Sequence, residues 1–131
     1  MSFSVRAPNL IEQLQNILGR YQANTLAGIG SSTTSLFSVS LKSNNYYTCR
    51  LHVICKEAST GNLFAYESTK VYSVSSTGVV SETNLNNTYY PSNIVTTTLS
   101  TNTLTISINQ SATYERSVSG VVELFSHTGL T

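Results

Sequence analysis

Residues 46–57 read YYTCRLHVICKE and alternate between two kinds of side chain. The odd positions are apolar or small: Tyr47, Cys49, Leu51, Val53 and Cys55. The even positions Thr48, Arg50, His52 and Lys56 are polar. Only a β-strand turns a period of two residues into one buried face and one solvated face. Because strands of about 5 to 6 residues are typical, a stretch this long predicts a central strand that spans the whole domain.

Alternating segments flank this central strand on both sides. Residues 35–42 alternate before a Ser43-Asn44-Asn45 turn, and residues 63–74 alternate after a turn at 59–62. Two hairpins in succession predict a three-strand meander. Residues 75–92 are rich in Ser, Thr and Asn and predict an irregular loop with its tip at 84–91.

Three more strands are predicted at 94–99, 103–109 and 114–125. In the last of these Val118, Val122 and Leu124 face inward, while Arg116 and Gly120 interrupt that inward face. The complete pattern predicts a mainly β fold, an antiparallel β-sandwich of six or seven strands.

An amphipathic α-helix is predicted near the N-terminus, ending at about Gln22. Asn9 and Glu12 form a variant of the capping box at its start. Its apolar residues form one stripe: Leu10, Ile11, Leu14, Ile17, Leu18 and Tyr21. Because an isolated helix of this length is marginal in water, the stripe packs on its own sheet, clusters with helices of two or three copies, or docks on another protein.

The polar stretch at 22–35 contains Gly28 and Gly30 and predicts a linker between the helix and the sheet. The predicted organisation is therefore an N-terminal arm, helix and linker at 1–34 and a β-sandwich domain at 35–131.

The composition excludes several classes of partner. Only 10% of the 131 residues are charged, against about 25% in an average protein. The net charge is +1 and no Lys/Arg cluster is present, so we expect no binding to a nucleic-acid backbone, which needs several converging cations. The N-terminal segment has no apolar run long enough for a signal or a membrane span, which predicts folding in a cytosol.

Cys49 and Cys55 lie six residues apart on one face of the central strand. At about 3.3 Å per residue this spacing separates them by roughly 20 Å, whereas a disulfide needs Cα atoms within about 7 Å. Both are predicted to be small buried hydrophobic residues.

No catalytic, metal or cofactor site is indicated. The chain has no Asp and six scattered Glu residues, whereas glycoside hydrolysis needs two neighbouring carboxylates. Glu57 and Glu67 could face each other across the second hairpin, but a solvated role is the simpler interpretation. His52 and His127 are the only imidazoles, and no G-x-S-x-G pattern accompanies them. We expect a protein that is not an enzyme.

Three tyrosines are candidates for surface recognition: Tyr46, Tyr89 and Tyr90. Exposed tyrosines among Asn and Thr suit contact with a protein or a glycan, since each offers a rigid face and one hydroxyl at low entropic cost. The alternative is that tyrosine is simply a favourable strand residue.

The order of these segments resembles a small β-domain of tailed-phage virion proteins, found in tail and tail-fibre polypeptides. The resemblance runs from about Ser35 to Phe125 and rests on TCRLHVICKEA, the STGN turn and NTLTISINQSATYERSVSGVVELF. The final strand of that family usually carries a Trp, which this chain lacks. The resemblance implies a non-enzymatic particle component with no catalytic residues.

The first functional expectation is a capsid decoration or cement protein of the virion, a homotrimer held to itself or to the major capsid protein through residues 1–30. The second is a tail or tail-fibre protein that binds a host receptor or glycan through the tyrosine-bearing loop. The third is a carbohydrate-binding module with no virus involved.

Overall fold

The computed structural model describes residues 20–29, 33–109, 115–127 and 129–130. These residues form eight strands: β1 (Arg20–Ile29), β2 (Thr34–Ser40), β3 (Asn45–Glu57), β4 (Leu63–Val74), β5 (Val80–Tyr90), β6 (Val95–Ser100), β7 (Thr103–Ile108) and β8 (Arg116–His127). A five-stranded sheet has the order β1-β8-β3-β4-β5, and a three-stranded sheet has the order β2-β7-β6. All pairings are antiparallel. The mainly β, antiparallel prediction is confirmed, with two more strands than the six located from the sequence.

Strand β3 is the centre of the larger sheet, as its alternation predicts. It pairs with β4 on one side and with β8 on the other, and its burial alternates along its whole length. Its odd residues join a core whose most buried aliphatic members come from β3, β7, β8 and the residue before β6: Val53, Leu104, Ile106, Ile108, Val118, Val122 and Ile94. Cys49 and Cys55 are buried and free, as predicted.

The predicted inward face of β8 is continuous in the structure. Val118, Val122 and Leu124 are buried, and so are Arg116 and Gly120 on the same parity. The guanidinium of Arg116 lies 4.8 Å from the centroid of the Phe64 ring. The prediction that Arg116 and Gly120 break this face is wrong, because a cation can stack on an aromatic ring and a glycine can admit a close neighbour.

The predicted meander is half right. β3 and β4 form the expected hairpin, but β2 pairs with β7 in the other sheet. The Ser43-Asn44-Asn45 turn therefore crosses between sheets. Asn102 helps to hold the chain there: the Leu41 N–H donates to the Asn102 carbonyl at 2.9 Å, and the Asn102 side-chain amide donates to the Leu41 carbonyl at 2.9 Å.

The irregular loop predicted at 75–92 is wrong for most of its length. Residues Val80–Tyr90 form β5, which pairs with β4 at the edge of the larger sheet. Only Val80 of this strand is buried. The strand consequently lacks the apolar alternation that reveals β3, and backbone pairing with β4 holds it in place.

The segment at 20–29 also differs from its prediction. It forms β1, an edge strand that pairs with β8, instead of the end of a helix and the start of a linker. The pairing of Tyr21 with Glu123 places Tyr21 in this strand. The other predicted stripe residues lie outside the described residues: Leu10, Ile11, Leu14, Ile17 and Leu18. The helix that they predict, and the division at residue 34, stay predictions.

A β-bulge in β5 decides which of its side chains face outward. Asn84 is opposite Lys70 and Asn86 is opposite Thr69, so Leu85 has no partner on β4. An extra residue shifts the alternation of the strand by one. Even-numbered residues face the core before the bulge, as Val80 does, and face solvent beyond it, as Tyr90 does.

A polar cluster joins the two sheets beside this bulge. Glu82 on β5 accepts hydrogen bonds from the Tyr72 hydroxyl at 2.9 Å and from the Thr97 hydroxyl at 3.0 Å. Its other carboxylate oxygen lies 3.3 Å from Lys70 Nζ. Since Thr97 belongs to β6 of the smaller sheet, one carboxylate connects both layers.

Candidate ligand-binding site

An open cavity of about 290 Å³ lies on the outer face of the larger sheet, where β3, β4 and β5 run side by side. Six outward-facing residues form its two rows: Ile54, Ala65, Tyr90, His52, Glu67 and Thr88. We call these six residues the outer patch. The central strand β3 therefore forms one side of this surface, and the bulged strand β5 forms the other.

The first row of the outer patch is apolar. Ile54 pairs with Ala65, and Ala65 pairs with Tyr90, so the three side chains lie across three adjacent strands. Ile54 is 59% exposed and Tyr90 is 73% exposed. Adjacent strands are about 4.8 Å apart, so the small methyl group of Ala65 forms a floor between two larger apolar side chains roughly 10 Å apart.

The second row is polar and lies beside the first. His52 pairs with Glu67, and Glu67 pairs with Thr88. His52 Nδ1 and Glu67 Oε2 are 3.8 Å apart, and both side chains are more than half exposed. This distance is too long for a hydrogen bond, and an exposed ion pair of this kind contributes little to stability. Each group therefore keeps hydrogen-bonding capacity for a third molecule.

The structure brings two of the three predicted recognition tyrosines, Tyr89 and Tyr90, to the lining of this cavity, and Tyr46 lies away from it. Tyr46 pairs with Ser73, eight residues along β4 from Ala65 and about 26 Å away at ~3.3 Å per residue. Tyr89 pairs with the inward residue Tyr66 and so faces the other side of β5 from Tyr90. The predicted recognition loop is thus replaced by a strand, β5, in which Tyr90 belongs to the outer patch and Tyr89 lines the same cavity from the opposite parity.

Five of the six residues of the outer patch, all except Tyr90, are not predicted from the sequence to bind anything. Ile54 is the informative one, because it is an aliphatic residue on the polar parity of β3 and stays 59% exposed. Glu67 faces His52 instead of Glu57. Glu57 is buried on the inner face of β3, so the two carboxylates suggested from the hairpin do not meet.

The side chains of the outer patch offer apolar contact and hydrogen bonds to a ligand. Among the residues that the structure describes, the cavity lining includes one carboxylate, that of Glu67, whereas glycoside hydrolysis uses two. Within the described ranges, no three His, Cys, Asp or Glu side chains are grouped to hold a metal ion. Among the same residues no helix is long and apolar enough to span a membrane.

Comparison with known proteins gives matches among solved structures. No protein-family model matches the chain, and no curated protein matches it in sequence. The chain is similar to the tailspike protein of Acinetobacter phage vB_ApiP_P1, with 14% identity and a TM-score of 0.44 over 82% of this chain and 22% of that chain. It is also similar to tailspike protein gp49 from Acinetobacter baumannii bacteriophage Fri1, a capsular polysaccharide depolymerase, with 13% identity and a TM-score of 0.39 over 82% of this chain and 19% of that chain.

Both of these structures are phage tailspike proteins, and the chain spans about a fifth of the length of each. The depolymerase activity named for the second belongs to that protein.

Proposed function

We propose that this chain is a non-enzymatic, tail-associated protein of a tailed-phage particle that binds a saccharide on the host surface through the outer patch. The assignment to a phage particle is supported by the sequence pattern of β3, β7 and β8, which resembles the small β-domain of tail and tail-fibre polypeptides. The assignment of the ligand is supported by the chemistry of the patch.

The observation that carries the proposal is the pairing of an apolar row with a polar row on one exposed face. The ring of Tyr90 and the side chain of Ile54 offer apolar surface to the C–H face of a sugar. His52 and Glu67 lie beside them with open hydrogen-bonding capacity. A saccharide has both kinds of surface, whereas a purely apolar ligand would leave the His52–Glu67 pair without partners.

The capsid-decoration alternative depends on the apolar stripe that includes Leu14 and Leu18, which lies outside the described residues. The tail-associated alternative depends on the outer patch, and we favour it because that patch combines exposed apolar and polar side chains on one face. The trimer predicted from the stripe stays a prediction, and light scattering on the purified chain measures it.

Tyr90→Ala tests the ligand part of the proposal. Binding of the purified protein to host cells should fall at least tenfold, because the variant removes the larger apolar wall of the patch. Tyr46→Ala is the matched control, since it removes an exposed tyrosine from the same sheet face about 26 Å away and should leave binding unchanged. Equal binding by both variants and the unsubstituted chain would reject the outer patch as the host-binding site.

Copy number tests the location. Quantitative mass spectrometry of purified particles should find a few copies of this chain for the hundreds of copies of the major shell protein. A number close to that of the shell protein would instead support capsid decoration, and absence from the particle would leave the non-viral binding module.

A further inference from the structure

We infer that the ligand of the outer patch is a linear saccharide several sugar residues long, and that it continues across β8 into a second subsite at the other edge of the larger sheet. This inference rests on the proposed function and assigns a further binding site for the same ligand. It follows from the position of a second cavity, from the row of residues that joins this cavity to the outer patch, and from the chemistry of its lining.

The second cavity lies between β1 and β2, which are edge strands of the larger and the smaller sheet. Its volume is about 340 Å³, and six residues line it: Gln22, Ala23, Asn24, Leu36, Phe37 and Ser38. We call these six residues the edge groove. The Asn24 side-chain amide donates a hydrogen bond to the Leu36 carbonyl at 2.8 Å. The groove is therefore bounded by two strands that this hydrogen bond holds together.

One row of paired residues joins the outer patch to the edge groove. His52 of the patch pairs with Val121 on β8, and Val121 pairs with Ala23 of the groove. Since adjacent strands are about 4.8 Å apart, His52 and Ala23 are roughly 10 Å apart. The complete row runs from Thr88 on β5 to Ala23 on β1 and is roughly 19 Å long. A saccharide that contacts both sites must therefore be a chain, because the row is longer than one sugar ring.

The side chains along this route are short, and longer charged side chains lie beside it. On β8 the route crosses Val121 and Ser119, which pair with patch residues of β3. Glu123 lies two residues beyond Val121 on the same face of β8. On β3, Lys56 lies two residues beyond Ile54. A chain that leaves the outer patch can thus cross β8 without displacing a long side chain.

The lining of the edge groove suits a ligand rich in hydroxyl groups. None of its six residues is charged. Gln22 and Ser38 are exposed, and an amide and a hydroxyl can each donate and accept hydrogen bonds. Sugar hydroxyls can exchange hydrogen bonds with both side chains, whereas an ionised group of a ligand would meet no opposite charge among the six. The groove therefore adds polar contacts to the apolar contacts that Tyr90 and Ile54 offer.

Two linked subsites predict that affinity depends on the length of the saccharide. Once the outer patch holds one part of a chain, the next sugar residues reach the edge groove at a high local concentration. Fragments long enough to cross β8 should therefore bind at least about tenfold tighter than fragments that cover only the outer patch.

The test uses fragments of graded length, obtained by partial acid hydrolysis of the purified surface polysaccharide of host cells that the protein binds. Titration calorimetry on the full chain measures the affinity for each fragment. We expect the dissociation constant to decrease with length until a fragment spans the row, and to stay constant for longer fragments.

Ser38→Ile separates the edge groove from the outer patch. The variant removes a hydroxyl and places a branched side chain in the groove, so it should weaken long fragments at least about fivefold and leave the shortest fragments unchanged. Thr98→Ile is the matched control, because Ser38 and Thr98 are both exposed and both pair with Thr105, from opposite sides. Tyr90→Ala should weaken short and long fragments by a similar factor.

A second variant guards against a general effect of the first. Gln22→Ala removes only an exposed amide and should also weaken long fragments while short ones keep their affinity. Equal affinity for fragments of every length would overturn the inference and leave the proposed function standing. Unchanged binding of long fragments by both Ser38→Ile and Gln22→Ala would overturn it as well. If Tyr90→Ala leaves host-cell binding intact, the proposed function fails first.

Discussion

Gly120 of β8 and Leu36 of β2 touch across the two sheets with no room for a further atom. A Cβ built on Gly120 would lie 2.5 Å from Leu36 Cδ2 and 3.2 Å from a ring carbon of Phe37. Both neighbours are buried, at 3% and 4% exposed. At this contact the three-stranded sheet packs directly against the five-stranded sheet.

Gly120→Ala should destabilise the protein by about 1 to 3 kcal/mol, because the added methyl group overpacks the core and forces Leu36 to shift. Urea unfolding followed by tyrosine fluorescence measures the loss. Ser119→Ala changes the exposed neighbour on the same strand and should alter stability by less than about 0.5 kcal/mol. Equal midpoints for the two variants would mean that the sheets can separate slightly at no cost.

Glu82→Ala should destabilise the protein by about 2 to 4 kcal/mol, because it leaves the buried ammonium of Lys70 without its partner and removes the acceptor of the Tyr72 hydroxyl. Thermal unfolding measures the effect. Glu115→Ala removes an exposed carboxylate and serves as the control, with an expected change near zero. A small loss for Glu82→Ala would show that water replaces the carboxylate between β4, β5 and β6.

Cys49 should resist alkylation in the folded protein. Burial is the main cause that raises the pKa of its thiol from 9.0 to about 12, with Lys70 lowering it and Glu82 raising it further. The thiolate is the reactive species, so iodoacetamide at pH 8 should label Cys49 in urea and leave it unlabelled in buffer. Mass spectrometry of the labelled peptides gives the answer, and rapid labelling of the native protein would contradict the burial.

The same pKa predicts a loss of stability in alkali. Between pH 9 and pH 12 the unfolded thiol gives up its proton while the folded thiol keeps it, so the unfolded state binds fewer protons and the free energy of unfolding falls as the pH rises. Burial also raises the pKa of Tyr72, which acts in the same direction. Urea midpoints should therefore decrease from pH 8 to pH 11, and the decrease should be smaller in Cys49→Ala.

Deletion of Leu85 should leave the proposed saccharide binding intact and increase self-association. The residues on either side, Asn84 and Asn86, already oppose consecutive residues of β4, so the ladder closes without moving Tyr90. The bulge is one of the devices that keep an edge strand from pairing with another chain, and β5 would lose it. Leu85→Ala keeps the bulge and should associate no more than the unsubstituted chain in light scattering.

The strands that could be predicted from the sequence are those that bury one full face. In β3 and β8 every second side chain is buried in the core, so apolar residues recur at every second position of the sequence. In β5 ten of eleven residues are exposed, and β1 has no buried residue among those whose side chains are described. A pattern of side-chain polarity does not show their backbone hydrogen bonds to β4 and β8. The sequence therefore predicts an irregular loop for β5, and the end of a helix followed by a linker for β1.

The outer patch could be predicted in part. Tyr90 was a candidate because of its residue type, and it is exposed on the outer face. Its neighbours could not be known, because the register between β4 and β5 and the extra residue at Leu85 decide that Tyr90 and not Tyr89 joins Ile54. The sequence also does not show that the chain passes from one sheet to the other at Asn44. The same turn residues can connect two strands of one sheet or two strands of different sheets.

Strand β8 pairs with both β3 and β1. During synthesis, β1 therefore cannot enter the larger sheet until β8 has been made. Ile29 of β1 pairs with Arg116 of β8, a separation of 87 residues. At about 5 to 20 residues per second, β1 waits roughly 4 to 17 seconds on the ribosome before its sheet partner exists. Through that interval its backbone donors and acceptors are open to other nascent chains, so conditions that slow translation should increase the aggregated fraction of newly made protein.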